Sequence, residues 1–244
     1  MAPTKEAILP ILLTILFTVL ILKIRAFSDK SPLAVSNNKY VNSQVNFQLA
    51  LVVLSGFSLL ATFLLSRSGF LHYFSFGQIA APAQELNLFR IRQGDRWLET
   101  GLSLCVVISL TTGVFMYVQL KGTRNDWATV RNGIGWVLVF SLTNSFAEEM
   151  IFRIGLIAPL AKIVSPDTLF FVSALIFGLA HFWGMPNGII GVLLAGVLGY
   201  VLAKSVYETN GFFWAWTIHF LQDILIIGSL YLMDNAKSLK LQSR

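Results

Sequence analysis

Two adjacent glutamates, Glu148 and Glu149, lie in a stretch from Gly133 to Leu160 that otherwise reads as membrane-spanning. Around them run Trp136, Val137, Leu138, Val139, Phe140, Leu142 and Phe146, then Met150, Ile151, Phe152 and Ile154. Placing one carboxylate at the centre of a membrane helix costs about 2.5–3.5 kcal/mol even on the mildest insertion scale. Two side by side, with Arg153 close behind, are hard to explain as packing. An ionisable residue at membrane depth points to function, and its partners should also be embedded.

Composition sets the class. The chain has 244 residues, 55% of them hydrophobic and 12% charged, against roughly 25% charged in a soluble domain. Apolar runs at Ala7–Leu22, Phe47–Leu65, Gly101–Leu120, Gly133–Leu156, Leu169–Trp183, Gly188–Ala203 and Phe212–Met233 each approach the ~20 residues that cross a bilayer as a helix. These runs are continuous, not alternating, which excludes a closed β-barrel. The pattern predicts an all-α fold, a polytopic transmembrane bundle of seven or eight segments in one integral membrane domain over residues 1–244. An eighth segment would come from Phe70–Ala81 or Ile154–Ile163, both short. The polar stretch Phe89–Trp97, with Arg90, Arg92 and Arg96, predicts an interfacial helix.

The net charge of +6 is spread over loops and termini, which suits the anionic headgroups of a lipid bilayer. No stretch interleaves basic and aromatic residues, so nucleic acid is not an expected partner. The single Cys105 rules out an intramolecular disulfide and reads as packing. Lys5 precedes the first apolar run and Lys23 and Arg25 close it, without a small-residue cleavage site. That run predicts an uncleaved anchor. Small residues recur every fourth position at Gly191, Ala195, Gly199 and Ala203, a ridge that lets two helices approach closely in lipid.

The chemistry gathers in the C-terminal half. Glu149 and Arg153 stand four apart with the acid first, the favourable order for a helical pair, and predict a structural ion pair. Glu148 points about 100° away around the helix and is left free for general-base work. Phe177 and His181 are four apart on a second span, and His219 and Asp223 on a third. The remaining histidine, His72, falls in a short stretch and reads as incidental. The first three spans, poor in polar groups, read as scaffold or substrate wall.

Glu148-Glu149-Met-Ile-Phe-Arg153, Phe177-Gly-Leu-Ala-His181 and His219-Phe-Leu-Gln-Asp223 resemble the EExxxR, FxxxH and Hxxx(N/D) motifs of the CPBP intramembrane proteases. That family is also called the Abi or type II CAAX prenyl endopeptidase family. The resemblance spans about residues 133–233 and implies a protease core there, cutting a peptide bond of a membrane-associated protein or peptide. It implies that Glu148 and His181 activate the attacking water and that His219 and residue 223 stabilise the oxyanion. Glu149, Arg153 and Phe177 would support them.

Asp223 departs from the asparagine of the eukaryotic-type enzymes. An ionised aspartate only accepts hydrogen bonds, so Asp223 would carry a proton, orient His219 or bind a metal. Glu148, His181, His219 and Asp223 together make a conceivable zinc ligand set, although the HExxH helix of ordinary zinc peptidases is absent. A glutamic and a metallo-endopeptidase therefore both stay open. Two other classes compete: a proton- or ion-coupled transporter, and a non-catalytic family member acting as scaffold or immunity protein. Convergence of the four residues on one cavity separates the endopeptidase from the transporter, whose groups would be strung across the bilayer.

Overall fold

In lipid, each apolar run has to satisfy its own backbone groups, which favours helices over any open strand. The computed structural model describes residues 5–30, 33–123 and 127–242, and its regular structure is helical apart from two isolated β-bridges. The helices are α1 (Lys5–Phe27), α2 (Lys39–Leu65), α3 (Arg67–Tyr73), α4 (Trp97–Leu120), α5 (Trp127–Glu149), α6 (Gly155–Leu160), α7 (Pro166–Ala180), α8 (Gly188–Thr209) and α9 (Phe213–Gln242). Among the described residues, five are long and apolar enough to cross a membrane: Glu6–Lys30, Lys39–Leu65, Trp97–Leu120, Gly188–Thr209 and Phe213–Lys237. This is an integral membrane protein. The α5–α6 rod and the 15-residue α7 make up the rest of the seven expected segments.

Neither candidate for an eighth segment forms a separate long helix. At Phe70–Ala81, α3 stops at Tyr73 after seven residues. At Ile154–Ile163 the chain continues α5 through a π-helical turn, Met150–Ile154, into α6. That turn begins directly after the glutamate pair. Its residues are buried, and the Ser173 hydroxyl of α7 donates to the Phe152 carbonyl within it at 3.2 Å. π-turns of this kind are frequent at functional sites.

The stretch Phe89–Trp97 is not the expected interfacial helix. Leu86 and Ile91 exchange backbone hydrogen bonds at 2.9 and 3.2 Å around a short 3₁₀ turn. Arg90 and Gly94 both take positive φ, 55° and 98°, a conformation that ends helical propagation. The Asp95 side chain accepts from the Arg92 N–H at 2.8 Å, locking the second turn. This loop is tied to the end of α8: Glu208 Oε2 accepts from Trp97 Nε1 at 2.8 Å and from Gln84 N–H at 3.2 Å. The same carboxylate pairs with Lys204 on α8, which is buried within the fold and not free at its surface.

Helix α8 packs against α7 and α9 and so lies between the two histidine-bearing helices. A Cβ added at Gly178 would come within 2.6 Å of the Val192 carbonyl and 3.2 Å of Gly196 Cα. One at Gly199 would meet Ala174 Cα at 3.2 Å. Of the small-residue ridge, Gly199 therefore faces α7 as expected. Gly191 instead lies under the carbonyls of Pro186 and His181, and Gly196, off the ridge, completes the α7 contact. Cys105 is buried in the apolar core, and His72 lies outside the site, where its Nε2 meets Asn210 Oδ1 at 2.8 Å.

Because backbone faces backbone at Gly178, Gly178→Leu should force α7 from α8. The expected loss is about 1–3 kcal/mol, read as a lower thermal unfolding midpoint in detergent. An unchanged midpoint would show that α7 and α8 are not held together there.

Candidate active site

Three helices supply the polar groups. Asn144, Glu148 and Glu149 come from the last turns of α5, Phe177 from α7 with His181 just past its end, and His219 and Asp223 from the first half of α9. Glu149 and Arg153 are fully buried, and Glu148, His219 and Asp223 nearly so.

Glu149 joins the site to its support. One oxygen, Oε1, accepts from His219 Nδ1 at 2.7 Å. The other, Oε2, lies 3.2 Å from Arg153 Nε, an ion contact whose alignment falls short of a hydrogen bond. The expected Glu149–Arg153 pair is present, but Glu149 does more than neutralise Arg153. It also orients a histidine 70 residues away.

The Arg153 guanidinium carbon lies 4.1 Å from the centre of the Phe177 ring, close enough for a cation–π contact. The same ring packs on His181 with centroids 4.4 Å apart and edge-on to His219 at 5.8 Å. The Phe177 carbonyl is 2.8 Å from His181 Nδ1. A carbonyl only accepts, so Nδ1 carries the hydrogen and the neutral ring keeps its Nε2 lone pair for other work.

His219 Nε2 lies 3.7 Å from Glu148 Oε2 and 3.7 Å from Asp223 Oδ1. Glu148 Oε2 is buried without a hydrogen-bond partner, whereas Oε1 accepts from Asn144 Nδ2 at 3.2 Å. Asp223 Oδ2 accepts from the same amide nitrogen at 3.1 Å. His181, His219, Asp223 and Phe177 line a cavity of about 340 Å³. Its walls are mostly apolar, with Val107, Ile108 and Phe115 from α4, Leu194 and Leu198 from α8, and Ile226 from α9.

Glu148 and Asp223 thus each approach His219 Nε2, and His181 lines the same cavity as His219 and Asp223. The rest of the zinc question turns on donor arrangement. Among the described residues, no three of His, Cys, Asp and Glu are grouped so as to hold a metal ion. His219 Nδ1 is committed to Glu149, which leaves Nε2 as the nitrogen that faces Glu148 and Asp223.

Sequence reasoning missed Asn144, Gln48 and the Glu149–His219 bond. Gln48 belongs to α2, one of the spans read as scaffold, and its Nε2 donates to Asn144 Oδ1 at 3.3 Å. A signal for Asn144 did exist, since it stands four residues before Glu148, on the same helix face. For Gln48 there was none beyond its being a polar residue at the start of an apolar run.

Residues 129–225 match the family model of type II CAAX prenyl endopeptidase Rce1-like proteins. The matched stretch holds all three motifs and every polar residue of the site except Gln48. No curated protein matches the chain, and no solved structure does.

Arg153→Ala would strand Glu149 without its buried counter-charge. Breaking a buried pair in this way costs about 3–5 kcal/mol, so the yield of folded protein in detergent should fall sharply. Full yield with undiminished thermal stability would remove the structural role assigned to the pair.

Proposed function

We propose that this chain, whose residues 129–225 carry the type II CAAX prenyl endopeptidase match, hydrolyses a peptide bond of a membrane-associated protein or peptide. The observation that carries this reading is the convergence of Glu148, His181, His219 and Asp223 beside one apolar cavity. That convergence disfavours a transport relay, whose ionisable groups would follow a path across the bilayer.

Glu148 is the general base. Its unpartnered Oε2 takes one proton from a water that the Nε2 lone pair of His181 orients by accepting from its other O–H, and the resulting hydroxide attacks the scissile carbonyl carbon. The carbonyl π-electrons move onto oxygen. His219, held at Nδ1 by Glu149, directs Nε2 at that oxyanion, and a proton on Nε2 makes it the donor. When the tetrahedral intermediate collapses, the C–N bond breaks and the proton taken from water passes to the departing amine. The products are a carboxylate and an amine, with the enzyme unchanged.

Asp223 orients in this scheme and does not donate. It accepts from Asn144 and borders His219 Nε2, the arrangement expected of a carboxylate that steadies an imidazole. The cavity fits a substrate that is apolar near the cut, through its side chains or an attached lipid. Beyond His181, His219 and Asp223 its polar side chains are few: Thr111 and Thr112 on α4, and Gln222 on α9.

The test compares membrane proteomes of cells carrying wild type or Glu148→Gln, seeking a precursor that accumulates uncleaved. A fluorogenic peptide spanning the site cut in that precursor then serves as probe. Glu148→Gln should lower its cleavage by about 10²-fold or more while the protein still folds. Undiminished turnover in Glu148→Gln, alongside loss in Glu149→Gln, would move the base to the neighbouring glutamate.

Chelation provides a second measurement. The acid–base scheme expects cleavage to survive a strong chelator and Asp223→Asn to keep turnover. Reversible loss on chelation, restored by added zinc and abolished in Asp223→Asn, would establish a metallopeptidase instead.

A further inference from the structure

Two carboxylates of the site, Glu148 on α5 and Asp223 on α9, would repel each other if nothing stood between them. Asn144 stands there. Its side-chain nitrogen lies 3.2 Å from Glu148 Oε1 and 3.1 Å from Asp223 Oδ2, and an amide nitrogen has two hydrogens, one for each acid. Its oxygen is also engaged, accepting from Gln48 Nε2 on α2 at 3.3 Å. The Gln48 oxygen in turn accepts from the Thr143 hydroxyl at 2.9 Å. Every polar atom of the Asn144 amide therefore has a partner, and each partner lies on a different turn or helix.

We propose that Asn144 is a positioning residue that bridges Glu148 and Asp223, and that Gln48 of α2 fixes the plane of its amide. Resting on the endopeptidase reading above, this gives the bridge a specific task. Holding Glu148 by Oε1 turns its other oxygen, Oε2, toward His219 Nε2, 3.7 Å away. Holding Asp223 by Oδ2 leaves Oδ1 beside the same nitrogen, also at 3.7 Å. Without the amide, both acids are free to rotate and the base loses its aim. The N-terminal part of the chain thereby enters the site, since Gln48 lies outside the family-matched stretch.

Two readouts test this, one of them independent of peptide cleavage. Isotope-edited infrared spectra of the full chain in detergent, with ¹³C-carboxyl glutamate and aspartate, give the carboxylate bands of Glu148 and Asp223. Difference against Glu148→Gln and Asp223→Asn identifies which bands are theirs. In Asn144→Leu both bands should be displaced, because each acid loses a donor, and in Gln48→Leu they should broaden. Turnover of the fluorogenic peptide by Asn144→Leu should fall on the order of 10²-fold through misaim of the base, with KM within about twofold. If Asn144→Leu does not fold, Asn144→Ser serves, keeping one donor where the bridge needs two. The double variant Gln48→Leu/Asn144→Leu should be no slower than Asn144→Leu alone, since the two act through one contact.

Bands that stay in place in every Asn144 variant overturn the bridge, whatever the activity. Displaced bands with wild-type turnover per folded molecule, in a protein that Glu148→Gln inactivates, overturn its catalytic task and leave the endopeptidase reading intact. Absence of cleavage by the wild type would defeat that reading and the catalytic task together, with the bridge still decided by the bands.

Discussion

A charge buried in lipid has to be answered by another, and here one answer organises the whole centre. Arg153 is enclosed by protein, paired with Glu149 and laid against the Phe177 ring. Glu149 spends its second oxygen on His219, and Phe177 gives its carbonyl to His181. The counter-charge of one arginine thus fixes both imidazoles, one through a carboxylate and one through an aromatic residue. Replacing such an ion pair by apolar side chains is often tolerated for stability. In this chain that exchange would also release the His219 ring from its carboxylate.

The helices around this centre divide the work according to what their residues can contribute. Close glycine contacts between α7 and α8 set the separation of the backbone that carries His181. Apolar side chains of α4, α8 and α9 line the cavity, and an apolar surround strengthens the polar contacts beside it. The loop before α4 is pinned to α8 through Glu208 and Trp97, so the α4 wall is anchored at one end by a half-buried hydrogen bond.

Much of this was legible in the sequence because membrane burial makes polar residues conspicuous. Glu148, Glu149, His181, His219 and Asp223 stand out against leucine, isoleucine and phenylalanine, and the helical repeat of four pairs them correctly within each span. Contacts between spans were not legible. Nothing in the order of residues says that Glu149 reaches His219 or that Gln48 reaches Asn144, because those depend on how helices rotate when they pack. The Phe89–Trp97 stretch misled for a different reason. Its arginines suggested a helix at the headgroups, while the left-handed Arg90 and Gly94 turn the chain back on itself.

The π-turn at Met150–Ile154 has a bearing on phase. A wider turn accommodates one more residue than the α-helix would, and so resets the angular position of everything that follows it. Before the turn, the rod presents its acids to α9. After it, Leu156 and Ile157 are buried where α6 lies against α1, α2 and α3. A uniform helix could serve only one of these settings, because each residue advances the side chains by about 100°. Removing a single residue between Glu149 and Gly155 would therefore act like slipping one tooth on a gear: the acid-bearing half could stay engaged only if the half beyond the turn came out of mesh.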